Sequence, residues 1–265
     1  MYETQYLRAS NVAQAETLLR NHPEARLLAG GHTLIPTLKQ RLARPSHLID
    51  VSRLSELRGI TVDTTKVVIG AATKHFEVAG NSAVQRAIPG LAALAGVIGD
   101  PHVRHMGTIG GSLANNDPVA DYPAAALGLD AVIETARRKI KASDFFTGLF
   151  ETALENDEIL TRITFPIPKR SAYEKFRNRA SHYAMVGVFV AELADGSIRV
   201  AVTGAGPCAF RATDIETALK SNFTPKAAES VRVSQDGLSS DMHASAEYRA
   251  HLIPVLAARA VAAAG

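Results

Sequence analysis

The chain is organised around the stretch Gly99-Asp-Pro-His-Val-Arg-His-Met-Gly-Thr-Ile-Gly-Gly-Ser-Leu-Ala-Asn-Asn-Asp-Pro-Val-Ala-Asp-Tyr-Pro123. Gly107, Gly110 and Gly111 let its backbone adopt positive φ or approach a ligand closely. Thr108 and Ser112 add hydroxyl groups beside backbone N–H groups, so this glycine-rich loop predicts a cradle for an anion. A tight turn that binds nothing explains the same residues equally well, because short glycine motifs often occur by chance.

Polar side chains crowd the second half of the stretch. Within seven residues the chain places Asn115, Asn116, Asp117 and Asp121. Pro118 and Pro123 interrupt them, so they cannot all lie on one regular element. Such a segment is suited to hydrogen-bonding the hydroxyl groups of a sugar or a ribityl chain.

A second glycine pair follows a predicted strand at 25–29. The strand runs into Gly30-Gly31-His32-Thr33, and Thr33 is placed to cap a helix over 34–42. A strand, a glycine pair and a helix N-terminus favour a bound phosphate, although a simple βα turn has the same pattern. The loop matches neither a Rossmann fingerprint nor a P-loop. Together, the two glycine loops predict two jaws that close on one pyrophosphate.

Composition narrows the class of protein. The chain has 265 residues, 46% of them hydrophobic, which is enough for a large core in two or three small domains. Its 29 basic and 26 acidic residues are interspersed and give a net charge of +3, so neither nucleic acid nor another polyanion is expected as a partner. No apolar run approaches the roughly 20 residues of a membrane span. The N-terminus has no signal-peptide pattern, so a cytoplasmic location is expected.

Hydrophobic patterns predict a mixture of helices and strands. Asn11 is placed to cap a first helix that ends near residue 21. Strands are predicted at 25–29, 47–51, 66–72, 131–135, 158–165, 172–176, 185–193 and 198–204. Further helices are predicted at 76–98 with a break at Pro89-Gly90, from residue 143, at 212–220, and at 244–264 with a kink at Pro254. Pro166-Ile-Pro168 is the predicted domain boundary.

Other candidates for chemistry carry less weight. His102 and His105, with His32, would be a metal site only if their rings converged, and no helical register is predicted to do this. No Ser-His-Asp arrangement is present, because Ser112 lies in a Gly-Gly-Ser context. Cys208 is the only cysteine, which excludes an intrachain disulfide, a cysteine-rich zinc site and an iron–sulfur cluster held by this chain alone.

Three basic residues alternate along the chain at and just beyond the C-terminal end of the strand predicted at 172–176. Lys175, Arg177 and Arg179 would share one face of a strand. That face is either a solvated edge or a cationic wall against an electron-rich ring.

These motifs resemble a known family. Ala29-Gly-Gly-His-Thr33 and Thr108-Ile-Gly-Gly-Ser112, followed by Asn116-Asp-Pro-Val-Ala-Asp-Tyr-Pro-Ala124, are similar to the FAD-binding medium subunit of molybdenum hydroxylases, the group of carbon monoxide dehydrogenase and xanthine dehydrogenase. The likeness extends over the whole chain, with 179–184, 204–207 and 245–249 resembling C-terminal signatures of that family.

The resemblance implies an α+β protein. Its FAD-binding region would have two parts of the vanillyl-alcohol-oxidase (PCMH) type, at 1–55 and 56–168. A C-terminal domain of three antiparallel strands with helices, like that of the carbon monoxide dehydrogenase flavoprotein, would span 169–265.

The resemblance also implies a set of cofactor-binding residues. The two glycine loops would grip the pyrophosphate, Asp121 would lie near the adenosine end, and Tyr183 beside the flavin ring. Leu160 and Lys175 match positions that line the FAD site, whereas Asn116 and Asp117 are included for their proximity. The full set is Leu28, Ala29, Gly30, Gly31, His32, Thr33, Leu34, Thr108, Ile109, Gly110, Gly111, Ser112, Asn116, Asp117, Asp121, Leu160, Lys175 and Tyr183. His182 departs from the family, which often has Asp there.

The implied function is electron transfer within a larger complex. No side chain of this chain is expected to be catalytic, and no metal is expected on it. With one cysteine, the [2Fe–2S] clusters would lie on an iron–sulfur small subunit and the molybdenum cofactor on a molybdopterin large subunit, in a dimer of heterotrimers. FAD would pass electrons to an external acceptor. The alternatives are a self-contained FAD-dependent reductase or oxidase of the same superfamily, and a non-catalytic nucleotide-binding scaffold.

Overall fold

The computed structural model describes all 265 residues and contains fourteen strands and twelve α-helices. The strands are β1 (Gln5–Arg8), β2 (Arg26–Leu28), β3 (His47–Asp50), β4 (Ile60–Val62), β5 (Lys66–Gly70), β6 (Val132–Thr135), β7 (Lys139–Lys141), β8 (Phe146–Gly148), β9 (Glu151–Thr152), β10 (Leu160–Pro166), β11 (Arg170–Arg177), β12 (Ala184–Glu192), β13 (Ile198–Thr203) and β14 (Phe210–Arg211). The helices are α1 (Val12–Asn21), α2 (Leu34–Lys39), α3 (His75–Gly80), α4 (Ser82–Ala87), α5 (Pro89–Gly96), α6 (Pro101–Met106), α7 (Ile109–Asn115), α8 (Tyr122–Gly128), α9 (Ala142–Phe145), α10 (Thr213–Ser221), α11 (Pro225–Glu229) and α12 (Ala246–Ala264). The chain therefore mixes helix and sheet as predicted, and each predicted strand overlaps an observed one.

The first sheet is parallel, with the strand order β1-β3-β2. Parallel neighbours need a crossover, and the connection that contains α2 provides it between β2 and β3, whereas α1 connects β1 to β2 on the other side of β3. Asn11 begins that helix as predicted, because its side chain accepts a hydrogen bond from the Gln14 N–H at 2.8 Å. The buried side chains of Ala15 and Leu19 then pack in one core with Ile49 of β3.

The second sheet is antiparallel and has the order β4-β5-β10-β6-β7. Its largest core residues pack under α3 to α8, and every residue of α8 is buried. The helical stretch predicted at 76–98 divides into three helices. Asn81 begins α4 by accepting from two backbone N–H groups, and Pro89 begins α5, where a missing N–H has no effect on helix hydrogen bonding.

The third sheet has the order β11-β12-β13-β14 and packs against α10, α11 and α12. Three strands were predicted here, and the structure adds β14, which is too short to show a period-two pattern. The turn between β12 and β13 contains Gly196, which adopts a φ of 85°.

Two local predictions were wrong. The stretch 99–123 is not a continuous loop, because Asp100 caps α6 and Thr108 caps α7 through their side-chain oxygens. Thr33 makes no capping hydrogen bond to α2, and that helix ends at Lys39 because Arg41 adopts a φ of 61°. The first error arises because a glycine- and proline-rich pattern was taken as a loop, although side-chain capping makes its segments helical.

A buried arginine connects the third sheet to the last helix. Arg249 of α12 is 2% exposed, and its guanidinium donates to the carbonyl oxygens of Met185 and Gly204 at 2.5 and 2.7 Å. A third bond, at 2.7 Å, reaches the Asp241 carboxylate in the segment before the helix. One side chain thus fixes three segments of backbone.

None of the helices combines the length and the apolar character that crossing a membrane requires.

We expect Arg249→Met to lower the free energy of unfolding by about 2–4 kcal/mol, because it leaves two buried carbonyl groups without donors. Urea denaturation measures the change. Arg259→Met, on an exposed position of the same helix, is the matched control and is expected to stay within about 0.5 kcal/mol of the wild type. Equal stabilities for the two variants would contradict this role of Arg249.

Candidate functional site

A cavity of about 610 Å³ lies where the first sheet, the α6–α7 region and the β11–β12 turn meet. All but three of the predicted site residues line it. These are Leu28, Ala29, Gly30, Gly31, His32, Thr33, Leu34, Thr108, Gly110, Gly111, Ser112, Asp117, Asp121, Leu160 and Tyr183. The two glycine loops, which are far apart in sequence, therefore share one cavity as predicted.

The first glycine loop offers a row of free hydrogen-bond donors. It connects the end of β2 to the start of α2, and Gly31 adopts a φ of 70°. The backbone N–H groups of Gly30, Gly31, His32 and Thr33 donate to no backbone acceptor. Consecutive free N–H groups around a left-handed residue form a concave site for an anion.

The second glycine loop differs, because the protein already uses most of its donors. The N–H groups of Ile109 and Gly110 bond to the carbonyl oxygens of Thr73 and Ala71 at 3.1 and 2.8 Å. The Gly111 N–H donates to the Thr108 hydroxyl oxygen at 3.2 Å. The second loop therefore offers shape and hydroxyl groups, whereas the first offers free N–H groups; that both close on one pyrophosphate stays a prediction.

The two loops are in direct backbone contact. A Cβ atom on Gly30 would lie 2.2 Å from the Met106 carbonyl oxygen and 2.9 Å from the Gly107 Cα. No side chain fits at residue 30 unless the loops separate. This contact explains why residue 30 is a glycine, and it makes the two glycine loops parts of one cavity wall.

A buried ion pair stands behind the cavity wall. Asp121 lines the cavity, and its carboxylate accepts from the Tyr173 hydroxyl at 2.6 Å and from the Lys175 ammonium at 2.9 Å. The side chains of Asp121 and Lys175 are each 4% exposed. Burial raises the pKa of the Asp121 carboxyl, and the Lys175 charge and the Tyr173 hydrogen bond oppose that rise.

Two family models match this chain. One family model, described as the FAD binding domain in molybdopterin dehydrogenase, matches residues 2–168. A second, the CO dehydrogenase flavoprotein C-terminal domain, matches residues 171–264. The chain belongs to the family of FAD-binding medium subunits of molybdenum hydroxylases.

Two relatives in this family match along nearly their whole length. The carbon monoxide dehydrogenase medium chain of Hydrogenophaga pseudoflava is 35% identical, over 98% of this chain and 96% of that one. The xanthine dehydrogenase FAD-binding subunit of Escherichia coli O157:H7 is 34% identical, over 98% of this chain and 97% of its own length. The solved structure of carbon monoxide dehydrogenase from H. pseudoflava, which lacks the Mo-pyranopterin moiety, superimposes with a TM-score of 0.91 at 35% identity and covers 99% of this chain and 97% of that one.

Three predicted site residues do not line the cavity. Ile109 is fully buried in the core. Asn116 is also fully buried, and its amide donates to backbone carbonyl oxygens in the β8–β9 hairpin. Lys175 reaches the site only through Asp121, so it offers no free cation there.

The predicted cationic face on β11 does not form. Lys175 is buried in its ion pair, whereas Arg177 ends the strand after an irregularity in pairing and is exposed. Arg179 lies beyond the strand in the turn to β12. An interruption in strand pairing destroys the two-residue alternation on which the prediction depended.

Tyr183, Asp117 and Asp121 all line the cavity. Burial raises the pKa of the Tyr183 hydroxyl, and the carboxylates of Asp117 and Asp121 raise it further. The placement of Asp121 near the adenosine end and of Tyr183 beside the flavin ring stays a prediction.

Residues 150–160 form a cavity wall that the sequence did not predict, apart from Leu160. The wall includes Phe150, Thr152, Leu154, Glu155, Asn156, Glu158 and Ile159. Glu158 is held by Arg138, whose guanidinium donates at 2.9 and 2.8 Å, and this contact lowers the pKa of the Glu158 carboxyl to about 2. No motif marks this segment, because its place in the site depends on sheet pairing of β10 with distant strands.

A buried histidine also lines the cavity without having been predicted. His75 is 5% exposed, its backbone N–H donates to the Gly107 carbonyl oxygen at 3.1 Å, and the ring Nδ1 has no partner. Burial, and then the charges of His32 and Arg104, lower the pKa of the imidazole to about 4. The ring is therefore neutral at physiological pH. The histidines considered for a metal do not converge: no three His, Cys, Asp or Glu side chains form such a group.

The pKa of His75 predicts acid sensitivity. Between pH 6.5 and pH 4 the unfolded chain binds a proton that the folded chain does not, so stability falls as the pH falls through this range. We expect the wild type to lose about 2 kcal/mol more than His75→Gln between pH 7 and pH 4.5. Urea denaturation at both pH values tests this, with the exposed His105→Gln as the control. Identical pH dependence in the wild type and His75→Gln would contradict it.

Proposed function

We propose that this chain is the FAD-carrying electron-transfer subunit of a heteromeric molybdenum hydroxylase. The observation that carries the proposal is the cavity whose wall presents the free N–H groups of Gly30 to Thr33. The membership of the chain in this family supports the same conclusion.

The residues present fit FAD. A pyrophosphate needs several donors, and the four adjacent backbone N–H groups of the first loop meet that need without a lysine or an arginine. At Gly111, a Cβ would meet only the Thr108 hydroxyl oxygen, at 2.8 Å, so the space beside this residue is open to a ligand. The cavity volume also lies within the range of roughly 300–1,000 Å³ that is usual for ligand sites.

The chain's own residues bind, orient and shield the cofactor. Backbone N–H groups hold the anionic centre, and the hydroxyl groups of Thr108 and Ser112 extend the polar wall. The Lys175 ammonium neutralises the Asp121 carboxylate, and the Tyr173 hydroxyl donates a hydrogen bond to it. The cavity wall therefore has no unpaired buried charge at Asp121. Bound FAD would supply the redox chemistry, accepting electrons and passing them to an external acceptor.

The partners follow from what the chain lacks and from its relatives. Cys208 is the only cysteine, so iron–sulfur clusters would lie on other chains. Several relatives are named medium chain or medium subunit, which implies small and large subunits. We propose an iron–sulfur small subunit and a molybdopterin large subunit, assembled as a dimer of heterotrimers in the cytoplasm.

The domain division is part of the proposal. Residues 1–55 and 56–168 would form a two-part FAD-binding region of the vanillyl-alcohol-oxidase type, and 169–265 a C-terminal domain. The sheets support this, because the first and second sheets contribute strands only from 5–166 and the third only from 170–211.

The function is tested on the chain co-expressed with candidate small and large subunits. We expect about one FAD per chain by mass spectrometry of the released cofactor. The flavin absorbance should bleach anaerobically with one of carbon monoxide, glyceraldehyde, nicotine or xanthine, the compounds named for relatives, and only in the complex. Bleaching of the isolated chain would favour a self-contained enzyme. A chain that neither contains nor takes up FAD would favour a scaffold.

We expect Gly111→Val to weaken FAD binding at least about tenfold, because its side chain would occupy space on the cavity wall beside Thr108. FAD content after gel filtration and titration of the apoprotein measure the loss. Gly80→Val is the control, since a Cβ on Gly80 meets no atom within 4 Å. Normal FAD content in a folded Gly111→Val chain would contradict the assigned pyrophosphate site.

A further inference from the structure

The aromatic residue at the tip of the β8–β9 hairpin, Phe150, has an unfavourable backbone conformation. Phe150 adopts a φ of 55°, a left-handed conformation that is rare for a bulky residue. Its side chain is 55% exposed, yet it lines the cavity. Strain of about 1–3 kcal/mol at one residue persists only where the surrounding structure enforces it.

Asn116 enforces this conformation. Its side-chain amide donates to the Gly148 carbonyl oxygen at 2.8 Å and to the Glu151 carbonyl oxygen at 2.7 Å, on either side of the hairpin tip. Asn116 is fully buried and has a φ of 42°, which asparagine tolerates better than most residues. It directly follows α7, the helix that begins at the second glycine loop. The hairpin is thus tied to the wall of the cavity.

The cavity wall contains two Phe or Tyr side chains, Phe150 and Tyr183. Both are roughly half exposed, at 55% and 45%. FAD has two planar rings, isoalloxazine and adenine, and a rigid aromatic side chain stacks on such a ring with little loss of conformational entropy. A bound ring would cover the apolar surface that Phe150 otherwise exposes to water.

We propose that Phe150 is a stacking surface for a planar ring of FAD, and that Asn116 is the positioning residue that holds the hairpin tip against the cavity. This inference rests on the proposed function, since it requires FAD in the cavity. It adds a cofactor contact that lies outside both glycine loops and outside the predicted site.

The test is titration of the full-length apoprotein with FAD, FMN and ADP. Phe150→Ala is expected to weaken FAD binding about tenfold, the usual effect of losing one base–aromatic stack. Phe150→Tyr keeps the ring and should retain the wild-type affinity. Leu149→Ala is the matched control, because Leu149 is the neighbouring tip residue, is 57% exposed and does not line the cavity.

The three ligands identify the ring that is stacked. Weaker binding of ADP together with FAD, with FMN unchanged, assigns adenine. Weaker binding of FMN together with FAD, accompanied by an increase in the fluorescence of the bound flavin, assigns isoalloxazine. Either result supports the proposal.

The role of Asn116 is tested by Asn116→Gly, which removes both hydrogen bonds and keeps the left-handed backbone accessible. It should weaken FAD binding in the wild-type background and have no further effect in the Phe150→Ala background. Faster amide hydrogen exchange in the hairpin should accompany it. Additive effects of the two substitutions would overturn the positioning role.

Wild-type affinities for all three ligands in folded Phe150→Ala would overturn the stacking role while leaving the proposed function intact. A wild-type chain that fails to bind FAD would instead overturn the proposed function itself. The two failures are therefore distinguishable in one set of titrations.

Discussion

The site depends on one close contact between backbones. Gly30 packs so near to the Met106 carbonyl oxygen that a Cβ atom would lie 2.2 Å from it. This contact joins the loop after β2 to the loop before α7, although different sheets position the two loops. In the second loop, backbone N–H groups donate to the carbonyl oxygens of Ala71 and Thr73. The N–H groups of the first loop donate to no backbone acceptor. An anion-binding surface results without any buried cation.

Two of the carboxylates that line the cavity are neutralised by a neighbouring cation. Asp121 is paired with Lys175, and Glu158 with Arg138, so neither carboxylate is left to repel an anionic cofactor. His75 is neutral, since burial lowers the pKa of its imidazole. The wall also presents free backbone N–H groups and hydroxyls, which suit a bound pyrophosphate. This chemistry agrees with a subunit that holds a redox cofactor while its partners carry the metal centres.

Local sequence signals predicted much of the fold and part of the arrangement of the site. Strand patterns, the Asn11 cap and both glycine pairs were readable because each depends on neighbouring residues. The fates of Asn116 and Lys175 were not, because their hydrogen-bond partners lie far away in sequence. The same reason hid the wall at 150–160, which only the pairing of β10 brings to the cavity. Glycine motifs indicate where a backbone can approach a ligand, and tertiary hydrogen bonds decide which N–H groups stay free.

The central claim is that the N–H groups of Gly30 to Thr33 hold the pyrophosphate of FAD. Amide hydrogen exchange at these residues, compared between the apoprotein and the chain saturated with FAD, measures this most directly. We expect slower exchange at these four amides when FAD is bound, and little change at Ile109 and Gly110, whose N–H groups already have acceptors. Saturation with FAD that leaves exchange at Gly30 to Thr33 unchanged would contradict the account.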